Sequence, residues 1–185
     1  VAARLLIRVE SGAFSSRLLG SGAGRGVRSR VLGVLRWQRA LDHVLAFHTR
    51  RPPVDLDSEV RVVLRLGLYE AVRLGVPGAV ATDGAVHLVR RMGRGSAAGL
   101  VNAVLRRAVT SWPELDAATP DVRLSHPEWL YRRWSDRWGG AAAGAAMAAD
   151  QEPRETWVWF LAEAARARLE ADGVQLESHP WCPGA

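Results

Sequence analysis

The sequence predicts a mainly α fold: a compact helical bundle up to about Ser111, followed by the beginning of a small α/β domain. Three observations predict it. Apolar residues recur at three- and four-residue steps through the first 111 residues, the period of helices that bury one face. Gly and Pro punctuate these runs at short intervals, which makes the connections brief and the bundle compact. The first β-prone cluster, Thr156-Trp157-Val158-Trp159-Phe160, comes only near the end.

From Val27 to Leu45, Val27, Val31, Val34, Leu35, Leu41, Val44 and Leu45 mark one helix, or two broken near Trp37, and Pro52-Pro53 stops it. Asp57 is the expected N-cap of the next helix and Gly75 its C-cap. Its apolar residues leave only a narrow polar arc at Arg61, Arg65 and Arg73, as in a helix at the centre of a bundle. A shorter helix follows Val76-Pro77-Gly78 and runs to Met92. Ser96 is the expected N-cap of a helix from Ala97 to about Thr110, with Ala97, Val101, Val104, Leu105 and Ala108 as its inner stripe.

At Trp112-Pro113 the composition changes, so residues 1–111 read as one domain, 112–124 as a linker and 125–185 as the start of a second, incomplete domain. There Ser125 and Glu128 form a potential capping box, with Pro127 in the first turn, opening a helix with Trp129, Leu130, Trp134 and Trp138. Beyond the Ala-rich stretch, residues 156–160 read as a strand, Leu161 to Ala171 as a helix and Val174 to Leu176 as a second strand.

Composition narrows the possible functions. The 185 residues are 48% hydrophobic and 24% charged, as expected of a folded soluble chain. Ala141 to Ala149 is too short to span a bilayer and Arg4 and Arg8 interrupt the first apolar run, so the expected compartment is the cytoplasm with no membrane partner. The single Cys182 permits no internal disulfide, no Cys/His cluster has zinc spacing, and no metal is expected. Residues 1–112 carry 18 Arg against 7 acids, whereas residues 113–185 carry 7 Arg against 12 acids. The first part is therefore expected to face a polyanion. All the Lys-or-Arg residues are Arg, which suits bidentate phosphate contact, although coding bias explains the same choice.

Several stretches resemble, in order, the Fmu/RsmB family of small-subunit (16S) rRNA cytosine-5 methyltransferases. They are Arg8-Val9-Glu10-Ser11-Gly12-Ala13-Phe14, Leu32-Gly33-Val34-Leu35-Arg36, Leu64-Arg65-Leu66-Gly67-Leu68-Tyr69 and Arg73-Leu74-Gly75-Val76-Pro77. Gly99-Leu100-Val101-Asn102-Ala103-Val104-Leu105-Arg106-Arg107 is the most specific, followed by Ser125-His126-Pro127-Glu128-Trp129-Leu130, Glu152-Pro153 and His179-Pro180-Trp181. The resemblance implies a NusB-like RNA-binding helical domain, a small α/β domain and a methyltransferase domain that binds S-adenosylmethionine and carries paired catalytic cysteines. The chain stops short of that last domain, so the resemblance implies ribosomal RNA as partner, no cofactor in this chain and no catalysis by it alone. Val1 in place of Met and the ending Pro183-Gly184-Ala185 read as cut ends. Cys182 lies before the catalytic cysteines and reads as a bystander thiol. A standalone NusB-like antitermination factor is the alternative, against which the extension from Ser125 to Ala185 speaks.

The segment Gly20-Ser21-Gly22-Ala23-Gly24-Arg25-Gly26 is shorter than in the family, which is expected to weaken the seating of the first helix. Its glycines imitate a nucleotide loop, but no strand pattern precedes them. The candidate RNA-binding residues are Arg36, Arg39, Arg90, Arg91, Arg94, Arg106 and Arg107. Arg90, Arg91 and Arg94 flank a helix start, where free N–H groups and the helix dipole favour phosphate; the alternative is that they cap the preceding helix. Arg106 and Arg107 also suit the end of their helix without any ligand. Arg36 and Arg39 flank Trp37, which stacks on an unpaired base or packs inside the protein. Asn102 is expected to bond neighbouring backbone, His126 to serve a helix start, and Trp129, Trp134 and Trp138 to pack.

Overall fold

The computed structural model describes residues 1–20, 22–152 and 158–177. Chain contacts divide it into two units, Val1–Gln151 and Glu152–Ala185. The first contains α1 (Ala2–Glu10), α2 (Ser15–Leu18), α3 (Arg25–Thr49), α4 (Ser58–Arg73), α5 (Gly78–Arg91), α6 (Ala98–Ser111), α7 (Pro120–Arg123), α8 (Glu128–Trp138) and α9 (Gly140–Gln151). In the second, α10 (Glu163–Ala171) is an exposed helix with one internal ion pair, Arg166 to Glu170 at 3.2 Å.

The apolar stripes read from the sequence close on one another. Helix α4 is the centre, packed by α1, α3, α5 and α6, and Val62, Val63, Leu64 and Leu68 on it are essentially excluded from water. Val31, Val34, Leu41 and Leu45 of α3 and Val101, Val104, Leu105 and Ala108 of α6 complete the core. Leu105→Ala or Leu64→Ala is expected to lower stability by about 2–5 kcal/mol in denaturant titration, through lost transfer energy plus a residual cavity.

Helix α3 is continuous through Trp37 and 25 residues long, and it ends where Arg50 turns left-handed (φ 57°) before Pro52 and Pro53. Helix α4 ends as read, with Gly75 at φ 68° and the Val76 N–H donating to the Glu70 carbonyl at 3.1 Å. Two glycines allow the helices to meet closely. A Cβ on Gly33 would lie 1.9 Å from the Tyr69 hydroxyl, and one on Gly67 would lie 2.8 Å from a Leu105 methyl. Two of the stretches that carry the family resemblance thus contain the positions where α3 meets α4 and α4 meets α6.

The narrow polar arc of α4 is turned toward neighbouring helices, as suits a central helix. Arg65 is only 5% exposed. Its Nε and one terminal nitrogen fork onto both Asp42 oxygens at 2.6 and 2.7 Å, and its other terminal nitrogen donates to Glu10. Arg61 forks onto the same Glu10 at 3.0 and 2.8 Å and donates to the Val54 and Leu56 carbonyls at 2.9 Å each. Ion pairs therefore stitch α1, α3 and α4 together, because the arc faces two acids on neighbouring helices rather than water.

The short glycine segment does not unseat α1: Ala2, Ala3 and Leu6 are buried, Leu19 is 2% exposed, and Arg28 donates to the Leu19 carbonyl at 2.6 Å. Helix α2, not a strand, precedes that segment, which removes its likeness to a nucleotide loop. Ser21 lies outside the described residues.

Three expected side-chain caps are not formed. Asp57 stands at the N-cap position of α4 but makes no cap hydrogen bond with its side chain. Residues Gly95–Ala97 make a 3₁₀ turn that contains Ser96, so α6 starts at Ala98 without a side-chain cap. Ser125 does not face Glu128. It adopts φ 58°, and its hydroxyl accepts the Arg39 and Ala40 N–H groups of α3 at 3.1 and 3.4 Å, leaving Pro127 at the start of α8.

Residues 112–124 are also more than a tether. Trp112–Ala117 form a 3₁₀ segment, Leu115 is buried in the bundle core and Asp121 pairs with Arg39, so this stretch packs within the first of the two compact units. Among the described residues there is no strand: 158–160 and 174–177 carry no ladder. The remainder of the first expected strand, Thr156 and Trp157, lies outside the described residues, as do Pro153, His179-Pro180-Trp181, Cys182 and Pro183-Gly184-Ala185.

Candidate nucleic-acid interface

Helix α5 ends in Arg90 and Arg91, and Gly93 (φ 79°) reverses the chain so that the Arg94 N–H donates to the Val89 carbonyl at 3.0 Å. Arg90 and Arg91 are exposed and have no carboxylate partner among the described residues. Arg94 differs, with its guanidinium 3.3 Å from Glu59 and 3.6 Å from Asp57 at the start of α4. The Glu59 carboxyl is held below its ordinary range, first by a backbone N–H and, against some desolvation, by Arg94. None of the three side chains bonds a carbonyl of α5, and Arg90 and Arg91 lie in its last turn, where cations suit the helix dipole with or without a ligand.

Arg36 is exposed on α3, whereas Arg39 is paired with Asp121 at 2.6 Å. Burial, which would raise the Asp121 pKa, is outweighed by hydrogen bonds from Thr119 and Arg39, so this carboxyl stays ionised below its usual range. Trp37 is 9% exposed and lies beneath Arg73, whose guanidinium carbon is 3.4 Å from its ring centre and 5.5 Å from that of Trp112. It packs, and stacking on a base between Arg36 and Arg39 is excluded at that position. Arg106 and Arg107 are exposed on α6 without carboxylate partners among the described residues.

All seven arginines reach the surface, but not as one patch. Arg94, before α6, meets the start of α4, and Arg73, at the end of α4, meets Trp112 just past α6. The two helices therefore run parallel, and the 16 residues of α4, roughly 24 Å of helix, separate the Arg90–Arg94 turn from the Trp37 stack beside Arg36 and Arg39. Arg106 and Arg107 lie on the C-terminal half of α6, toward the stack.

Other expectations resolve locally. Asn102 is exposed and makes no hydrogen bond among the described residues. His126, beside the start of α8, has Nδ1 2.7 Å from the Leu124 carbonyl and Nε2 3.8 Å from Asp150 of α9. Trp134 contacts His126 and Trp138, while Trp129 and Trp138 stay 63% and 52% exposed rather than packed away.

One feature escaped the sequence reading. Between α3 and the turn at residues 122–127 lies an open chamber of about 640 Å³, with Gln38, Arg39, Asp42, His43, Ser125 and His126 among its walls. A more apolar cavity of about 710 Å³ adjoins it past His43, lined by Phe47, His48, Leu115 and Ala118. The only sequence signal was the polar run on α3, since the opposite wall is brought there by the tertiary fold. Among the described residues no His, Cys, Asp and Glu group could hold a metal ion, and no helix is long and apolar enough to cross a membrane.

Fold and surface together define an all-helical bundle built around one central helix, with exposed arginines on its outer helices. The chain belongs to the NusB family, whose model matches residues 2–110. It is similar to the ribosomal RNA small subunit methyltransferase B of Thermus thermophilus, 43% identical over 113 residues, which cover 60% of this chain and 26% of that protein. The Pseudomonas putida protein of the same name is 34% identical over 118 residues, covering 60% and 27%. The probable ribosomal RNA small subunit methyltransferase B of Bacillus subtilis is 31% identical over 199 aligned positions, covering 96% of this chain and 44% of that protein. The chain thus spans between about a quarter and somewhat under half the length of these relatives.

Proposed function

We propose that this chain is the RNA-binding, N-terminal part of a small-subunit rRNA cytosine-5 methyltransferase. Residues 1–111 act as the recognition domain, 112–124 link it to the next, and 125–185 begin that second domain. On this reading S-adenosylmethionine and methyl transfer belong to a further domain, and the described helices hold the ribosomal RNA. The observation that carries the reading is the set of exposed arginines without carboxylate partners among the described residues, Arg36, Arg90, Arg91, Arg106 and Arg107, on a NusB-family bundle similar to rRNA methyltransferases. Arg39 and Arg94, one in each of the two separated groups, must first leave Asp121 and Glu59, so they contribute less. Guanidiniums already free of partners meet phosphate at no such cost, and each neutralised phosphate releases condensed counterions.

Anisotropy titration of the chain with a short single-stranded RNA at several salt concentrations tests this. Affinity is expected to fall as salt rises. Arg90→Ala with Arg91→Ala should lower affinity for every sequence and flatten the log-log slope by about one to two contacts, each worth roughly 0.7. Arg166→Ala with Arg168→Ala, on the second unit, should change little. Equal effects from both pairs would mean diffuse attraction and sink the proposed docking surface.

A further inference from the structure

We propose that the chamber between α3 and the turn at residues 122–127 is a nucleotide pocket, which receives one unpaired base of a bound RNA strand and reads it through Gln38 and His43. The proposal rests on the RNA-binding reading above and assigns it a second kind of contact, to a base rather than to phosphate.

The polar groups around the chamber fall into two sets. The first is already engaged. Both Asp42 oxygens accept from Arg65, Arg39 holds Asp121, the Ser125 hydroxyl accepts two α3 N–H groups, and His126 Nδ1 meets the Leu124 carbonyl. These contacts fix the walls. The left-handed Ser125 (φ 58°), a strained conformation for a residue with a Cβ, is held in place by the same bonds. The second set is the Gln38 amide and the His43 imidazole, both half-buried in the chamber wall, and neither makes a hydrogen bond among the described residues. Among the described residues the only ring contact of His43 is an edge-on one with Phe47, centres 5.3 Å apart.

This pairing selects its ligand. The charged groups of the wall are already paired, Asp42 with Arg65 and Arg39 with Asp121, so neither guanidinium is free to hold a phosphate inside, whereas a neutral base needs no such cation. An amide offers a donor and an acceptor side by side, complementary to a base edge, and an imidazole offers a flat face on which a base stacks. The strand's phosphates stay outside, where Arg36 stands exposed three residues before Arg39 on α3.

The test compares a ten-nucleotide single-stranded RNA with an abasic oligomer of the same backbone length, both titrated against the full chain. The chain is expected to bind the base-bearing strand about tenfold more tightly, within the range seen for one stacked base. Gln38→Leu with His43→Leu should erase that preference and leave the salt slope unchanged, because no phosphate contact is removed. Gln38→Met alone, which keeps the volume, should reduce the preference and serves if the double variant melts early. A preference that survives these changes, or its absence in the unaltered chain, overturns the pocket while the arginine effects stand. Failure to bind either oligomer overturns both readings.

Discussion

Arg65→Ala is expected to cost about 3 kcal/mol or more in chemical denaturation, the scale for removing one partner of a buried ion pair. Deletion of the guanidinium leaves Asp42 without the fork that satisfies both of its oxygens. Glu10 is better placed, since Arg61 still forks onto it. The two carboxylates keep side-chain exposures of 27% and 18%, which sets the effect nearer the lower end of that scale. Arg65→Lys should recover only a minor part, because an ammonium cannot reproduce the planar two-pronged contact. Arg65→Met combined with Asp42→Leu should recover much of the loss, since the uncompensated charge is then gone as well. If Arg65→Ala melted within about 0.5 kcal/mol of the parent, the ion-pair hub would be a surface ornament.

Gly33→Ala is expected to destabilise by about 1–3 kcal/mol, the range for an overpacked core. Helix propensity alone argues the other way, since Ala is favoured over Gly by about 0.8–1 kcal/mol within a helix. Packing decides, because the added carbon would lie 1.9 Å from the Tyr69 hydroxyl and 2.1 Å from the ring carbon that bears it. Gly84 on α5 is the control: nothing lies within 4 Å of its Cβ position, so Gly84→Ala should stabilise by about the propensity difference. In a Tyr69→Ala background the penalty at Gly33 should vanish, and a double-mutant cycle would read this as strong coupling. Equal melting shifts at Gly33 and Gly84 would refute the close approach of α3 to α4.

The bundle was legible because its signals are local. Periodicity found α3 to α6 and their inner faces, and Gly75 and Pro52-Pro53 marked their ends. Where tertiary contacts overrode local chemistry, the sequence misled. Ser125 has the right neighbours for a capping box, yet its hydroxyl goes to α3, a partner about 85 residues away that no window can see. Arg65 was legible as part of the polar arc of a central helix, but its partners Glu10 and Asp42 are brought to it from two other helices. The candidate site divides in the same way. Exposure of the arginines followed from their positions on the outer faces. That Arg39 and Arg94 are already engaged, and that Trp37 lies under Arg73, depended on which helices run parallel. The chamber has one wall on α3 and another on the turn at residues 122–127, so neither stretch announces it alone.

The hub that joins α1 to α4 also sets an order of events while the chain is being made. A nine-residue helix does not persist by itself in water, so α1 has nothing to hold it as it emerges. Its anchor, Glu10, awaits Arg61 and Arg65, which are 51 and 55 residues further on. At about 5–20 residues per second that is a delay of roughly 3–11 seconds. For that interval Leu6 and its neighbours lack the cover that α4 gives them in the finished bundle.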